Sequence, residues 1–373
     1  MLSPSLLHRG GLILRLSFVW LAGALVVACG DQAERATGPA DAPSVSLSQG
    51  PERLAAVMAI QNKHTQRLLG IRGVVGTATG VAANGNPTIL VFTRTRGLGG
   101  IPTTLEGAPV RSVVTGDFKA FSTVAAGPTT TSLTGRFRPN IPNGVSVSNV
   151  HPSGSPVCLA GTLGAGVVIS GVKYALSNNH VFASQNKAPL GTAISQPGLF
   201  DTSPQCSYNP ATDRIGSLYA LVRINFSVFG SNQVDAALAT VTSATLTCST
   251  PADIGYGAPS ATLKGATVGL PIQKVGRTTA LTTGTVTGIN ATVIVDYGGG
   301  KLAWFVNQIV TSPGFSGAGD SGSLIVTNDG TRRPVALLFA GGGDGTTLGN
   351  PIAVVLNRLS RQIGGVPISV CTG

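Results

Sequence analysis

Residues 51 to 70, PERLAAVMAIQNKHTQRLLG, place Leu54, Val57, Ile60 and Leu68 at near-helical spacing, with Pro51 at the start and Gly70 as a stop. This pattern predicts one amphipathic helix with His64 on its edge. The next stretch, GVVGTATGVAANGNPTILVFT, predicts two strands around an Asn84-Gly85 turn, and PVRSVV a third. Residues 51–130 therefore read as a small α+β domain. After a Thr- and Ser-rich joint the texture changes to short strands at close intervals. GTLGAGVVIS, VKYALS, RIGSLYALVRI, VDAALATV, TTGTVTGINATVIVDY, KLAWFVNQIV, GSLIVT and PVALLFA all suit strands, and only PIAVVLNRLSRQIG suggests a helix. The expected fold of 137–373 is all-β, an antiparallel barrel or a sandwich.

Before the first helix lie two segments of different character. Arg9 and Arg15 flank the start of an apolar run, LSFVWLAGALVVA, that is too short for a membrane span but suits a signal peptide. Its end, VVAC, resembles a bacterial lipobox, which implies cleavage and lipid acylation at Cys29, so residues 1–29 read as a lipoprotein signal peptide. Residues 30–50 lack periodicity and are rich in Ala, Gly, Pro and Ser, as in a flexible tether. The expected location is outside the cytoplasm: a bacterial cell-envelope lipoprotein held to the membrane through Cys29, or a secreted protein after processing.

Composition narrows the classes further. Of 373 residues only 10% are charged, and the net charge of +11 is spread along the chain, with twelve basic and eight acidic groups in 151–373. Without a basic block or interleaved aromatics, no nucleic-acid partner is expected. Beyond Cys29, four cysteines remain: Cys158, Cys206, Cys248 and Cys371. In an exported chain they allow up to two disulfides, with three connectivities open. There is no C-x-x-C or H-E-x-x-H pattern, and the four histidines are scattered, so neither a metal nor another cofactor is expected.

The candidate chemistry centres on GAGDSGSLIV, Gly317 to Val326. Glycines around Asp320 and Ser321 suit an ordinary turn into a buried strand, but they also suit a nucleophile turn that lets backbone N–H groups approach a developing oxyanion. A serine nucleophile needs a base and a group to orient it. In the β-rich part only His151 and His180 are available, and no Glu follows Glu106, so the orienting acid is an Asp. His151 lies in the turn-like VHPSG. His180 ends YALSNNHVFA, and Asp235 precedes the apolar VDAALATV, where a buried carboxylate needs a partner. The order His180, Asp235, Ser321 excludes an α/β-hydrolase, whose His follows its Ser, and disfavours a subtilisin order.

LSNNHV, VDAALATV and GDSGSL resemble the His, Asp and Ser segments of trypsin-like serine proteases, the first being especially similar to bacterial HtrA/Deg enzymes. The resemblance covers roughly residues 140 to 373. It implies two six-stranded antiparallel β-barrels with a C-terminal helix, preceded here by the small α+β domain. It also implies His180 as general base, Asp235 as its orienter, Ser321 as nucleophile, and the N–H groups of Gly319 and Ser321 as oxyanion hole. Ser323 departs from the family's second glycine and Val181 from the cysteine of animal trypsins. Phe315 stands where trypsin-like enzymes carry an acid for Arg or Lys, so an uncharged P1 residue is expected. Ala340, Gly341 and Gly342 are expected to pair with substrate backbone.

The implied partner is a peptide or protein substrate. The alternative reading is a non-catalytic protease-like module that binds a peptide or adhesion partner. The N-terminal domain reads either as a propeptide removed by self-cleavage near 124–145 or as a permanent accessory domain. In relatives activated by cleavage, Asp320 pairs with a new N-terminus; whether Ile141 or another residue serves here is not legible. The chain ends soon after its last helix, which argues against a PDZ-type extension.

Overall fold

The computed structural model describes residues 51–120, 132–151, 158–227 and 230–373. All belong to one compact unit, Val45–Gly373. The expected signal peptide with Cys29, the expected tether and most of the expected joint lie outside the described residues. The expected helix forms as α1 (Pro51–Leu69), and its buried Val57 and Leu68 pack on Val74, Ile89 and Val91. Those residues belong to β1 (Val74–Val81) and β2 (Pro87–Thr93), an antiparallel pair joined through the expected turn. A short β3 (Thr104–Leu105) leads into β4 (Ala108–Val114), which runs parallel to β2. A three-residue strand, β5 (Phe118–Ala120), ends this block.

The next strands are β6 (Asn140–Ile141), β7 (Ser146–Asn149), β8 (Gly161–Thr162), β9 (Ala165–Ile169) and β10 (Val172–Ser177). A single helical turn, α2 (Asn179–Phe182), is followed by β11 (Ala193–Ser195), β12 (Arg214–Leu221), β13 (Ala237–Thr240) and β14 (Thr245–Leu246). The sheet order is β9-β10-β13-β12-β11-β7-β8. Only Leu163 and Gly164 separate β8 from β9, so these two act as one bent strand and close a six-stranded antiparallel barrel. Its inward residues include Val147, Val167, Leu176, Ile194, Leu218 and Leu238, all at most 1% exposed. Along β12, buried Gly216, Leu218 and Ala220 alternate with the less buried Ser217, Tyr219 and Leu221, the period-two pattern of a half-buried strand.

The second barrel contains β15 (Pro271–Gly276), β16 (Ala280–Asp296), β17 (Leu302–Thr311), β18 (Leu324–Thr327), β19 (Pro334–Gly341) and β20 (Thr347–Pro351). Their order β15-β18-β19-β20-β17-β16 returns to β15, so six antiparallel strands close on themselves. The expected C-terminal helix is α3 (Ile352–Gln362), and β21 (Ile368–Val370) returns to pair with β9 of the first barrel. The architecture is thus the pair of barrels that the resemblance implied.

One feature was not expected. The long β16 projects beyond its barrel and pairs with β1, so the N-terminal strands extend the same sheet. Buried Gln61 of α1 helps seal this junction. Its Nε2 donates to the Asn290 carbonyl at 3.0 Å, and its Oε1 accepts from Thr79 at 2.7 Å. The four cysteines that follow Cys29 form two disulfides, Cys158–Cys206 and Cys248–Cys371. Among the described residues, no helix is long and apolar enough to cross a membrane.

Candidate active site

Strand β10 delivers His180 because its last residues, Leu176 and Ser177, are buried on opposite faces and the chain then turns through Asn178. The Asn178 amide donates to the Asp235 carbonyl at 2.7 Å, tying the end of the His strand to the start of the Asp strand. His180 is 1% exposed and Asp235 fully buried. Asp235 Oδ2 lies 2.6 Å from His180 Nδ1, and Asp235 Oδ1 accepts the backbone N–H of His180 at 3.1 Å. A carboxylate held by two bonds from one residue fixes the ring's orientation. The other ring nitrogen, Nε2, is buried with no hydrogen-bond partner among the described residues.

Sequence reading did not find two further groups that hold Asp235. Tyr297, at the end of β16, donates its hydroxyl to Asp235 Oδ2 at 2.8 Å. Burial, and then the Asp235 charge, push this phenol well above its ordinary range, so it stays a donor. Asn350 accepts the Asp235 N–H at 3.0 Å and is itself held to Gln308 at 2.6 Å. The buried Asp thus draws hydrogen bonds from both barrels, which offsets its desolvation.

Ser321 reaches the same neighbourhood from the second barrel. A Cβ placed on Gly161 would meet Val181 Cγ2 at 2.5 Å and the Ser321 carbonyl at 3.1 Å, so the His180 helix and the Ser321 turn converge on one point. Thr162 N–H donates to the Ser321 carbonyl at 2.8 Å, and Ser321 Oγ donates to the Phe339 carbonyl of β19 at 3.4 Å. Gly322 has φ +96°, and a Cβ there would stand 2.2 Å from the Thr162 carbonyl; the turn back into β18 therefore requires glycine.

Asp320 points away into the second barrel. Its carboxylate accepts from Thr278 N (2.8 Å), Thr279 N (3.1 Å), Thr279 Oγ1 (2.6 Å) and Gly317 N (2.9 Å), and pairs with Lys274 Nζ at 3.1 Å. Lys274 is fully buried, and burial lowers its ammonium below the ordinary lysine range despite the opposing pull of Asp320. An internal lysine therefore supplies the counter-charge. Ile141 is fully buried within β6, opposite Leu246 of β14.

Phe315 is fully buried in an apolar cluster with Ile272, Val286, Ile309 and Leu338. Ala340 and Gly341 lie at the end of β19, and their partner is β5: Ala340 faces Ala120 and Gly341 faces Lys119, antiparallel. Gly343 N–H donates to the Thr115 carbonyl at 2.7 Å, and a Cβ on Gly342 would meet that carbonyl at 2.8 Å. The N-terminal block thus lines residues 340 to 343.

No protein-family model matches the chain, and no curated protein does. Among solved structures it is similar to a glutamic acid specific serine protease, at 19% identity over 62% of this chain and 100% of that one, TM-score 0.42. It is also similar to Thermobifida fusca protease A (19% identity, 63% and 100% covered, TM-score 0.41) and to a Nocardiopsis protease (21%, 62% and 100%, TM-score 0.40). Likeness at this level carries no activity across; the two-barrel assignment rests on the strand pairings themselves.

Proposed function

We propose that the chain is an exported serine endopeptidase that cleaves peptide bonds through an acyl-enzyme. The observation that carries this reading is the buried His180–Asp235 pair, whose free Nε2 belongs to a helix that meets the Ser321 turn. In this scheme His180 Nε2 takes the Ser321 hydroxyl proton as Oγ bonds to the substrate carbonyl carbon. The resulting oxyanion lies against the N–H groups of Gly319 and Ser321. His180 then protonates the departing amine, and water releases the acyl group by the same steps in reverse. Asp235, held by Tyr297 and Asn178, orients the ring and stabilises the imidazolium.

The N-terminal domain is proposed to be a propeptide. Its β5 occupies the edge of β19 at Ala340 and Gly341, the edge assigned to substrate backbone, so the tail is a strand-like competitor for that edge. Self-cleavage in the joint near 124–145 would free the edge and leave the enzyme detached from any lipid anchor at Cys29. Comparing the mass of the wild-type chain with that of Ser321→Ala tests this: processing confined to the wild type supports it, and identical full-length masses oppose it. Phe315 sits in an apolar cluster rather than beside an acid, which supports an uncharged P1 residue. Cleavage profiling that returned a dominant Arg or Lys would remove that assignment.

A further inference from the structure

An oxyanion hole depends on which way one peptide plane faces, and the structure holds that plane from behind. In a trans peptide the C=O and N–H point to opposite sides. The Ala318 carbonyl accepts the Thr278 hydroxyl at 2.7 Å, which turns the N–H of Gly319 the other way. The following planes are held in the same manner. Gly319 O accepts Thr162 Oγ1 at 3.0 Å, and Asp320 O accepts Ser323 Oγ at 2.6 Å and Ser323 N at 3.0 Å. Among the described residues neither Gly319 N–H nor Ser321 N–H donates to a backbone carbonyl.

Thr278 is itself fixed on two sides. Its backbone N–H is held by Asp320 Oδ1 at 2.8 Å. Arg277 Nη1 donates to its Oγ1 at 3.0 Å, leaving the hydroxyl proton for Ala318. Arg277 is in turn paired through both Nε and Nη2 with the Asp201 carboxylate, on a loop of the first barrel. The contact between turn and clasp is close: Gly319 has φ +98°, and a Cβ there would stand 2.4 Å from Thr278 Oγ1 and 2.7 Å from Arg277 Nη1.

We propose that Thr278 is a positioning residue that sets the oxyanion-hole orientation of the Ala318–Gly319 peptide through its hydroxyl. This rests on the serine-peptidase reading. Thr278 fixes the plane before Gly319 and Thr162 the plane after it; Asp320 is paired with Lys274, so no new N-terminus is required to form the turn. Without the hydroxyl the plane is free to reverse about Gly319, and the hole loses one of its two donors.

The test compares Thr278→Val, Thr278→Ser and Thr278→Ala in the full chain, using a peptide nitroanilide for kcat and KM and crystal structures for the orientation of the 318–319 peptide. Loss of one oxyanion donor lowers kcat about 10²- to 10³-fold. The expected result is a fall of that order in Val and Ala with KM within threefold of wild type, a reversed or mixed peptide in their crystals, and recovery of both in Ser. A kcat within threefold of wild type in folded Val or Ala, with the peptide unmoved, overturns the proposal. If the wild type neither hydrolyses peptide nor takes a serine-directed probe, the peptidase reading fails, while the peptide's orientation in the variant crystals still decides the role of Thr278.

Discussion

Strand β5 offers a direct perturbation of access to the edge of β19 proposed to bind substrate. Phe118 is fully buried, stands edge-on to Phe92 with ring centroids 5.5 Å apart, and shares a cluster with Phe305, Phe339 and Ala340. Its strand hydrogen-bonds on two sides, to Val295 and Asp296 of β16 and to Ala340 and Gly341 of β19. Replacing a packed Phe by Ala costs about 3–5 kcal/mol. If that loss falls on docking of the tail, the detached population rises about 10²- to 10⁴-fold, since each 1.36 kcal/mol is tenfold. The assay is the rate at which a fluorophosphonate modifies Ser321, read by intact mass so that only uncleaved chains are counted. Phe118→Ala is expected to label at least 10²-fold faster than wild type until the detached form dominates. Labelling of uncleaved Phe118→Ala at the wild-type rate, in a sample whose melting temperature has fallen, would refute the claim that β5 guards the cleft.

Tyr297→Phe removes one of the donors to a buried carboxylate, and such bonds contribute about 1.5–3 kcal/mol; a lower melting temperature and a reduced kcat at near-constant KM are expected, and an unchanged melt and kcat would count against the role assigned to Tyr297. Lys274→Met leaves Asp320 without its counter-charge and is expected to cost about 3–5 kcal/mol in urea unfolding. The pH dependence has a definite sign. Burial sets the folded Lys274 below its ordinary value of 10.5, so the unfolded chain binds more protons over that interval. The cost of burying the ammonium is fully present below the folded value and is relieved as pH rises toward 10.5. Wild type should therefore gain stability relative to Lys274→Met through that alkaline window, and parallel curves would show that the lysine is not buried as a charge.

How much of this was legible can be judged residue by residue. His180, Asp235 and Ser321 stood out because each is a polar group set against an apolar strand, and their order left few alternatives. The strands of both barrels followed from short β-prone runs bounded by turn residues at close intervals. Strand partners did not, because such a run states that a strand forms and not which neighbour covers its edge. Nothing in TTGTVTGINATVIVDY announced that its far end would pair with Val74–Val81, and FKA was too short to register as a strand. Lys274 sits inside PIQKVG and reads as an outward charge until Asp320 is placed beside it. Tyr297 ends TTGTVTGINATVIVDY and reads as one more strand residue, yet its phenol reaches Asp235. Gln61 and Thr65 fall on the buried stripe of α1, where a polar pair blurs the helical pattern that Val57 and Leu68 otherwise draw. Thr278, within RTT, carries no signal at all; its role follows only from the carbonyl it faces.

The most direct test of the central claim is intact-mass analysis of the purified chain before and after a fluorophosphonate, in wild type, Phe118→Ala, Ser321→Ala and His180→Ala. One adduct, mapped to Ser321, is expected on processed wild type and on Phe118→Ala, and none on Ser321→Ala or His180→Ala. Folded, processed wild type and folded Phe118→Ala that both take no adduct, or an adduct that persists in Ser321→Ala, would contradict the claim.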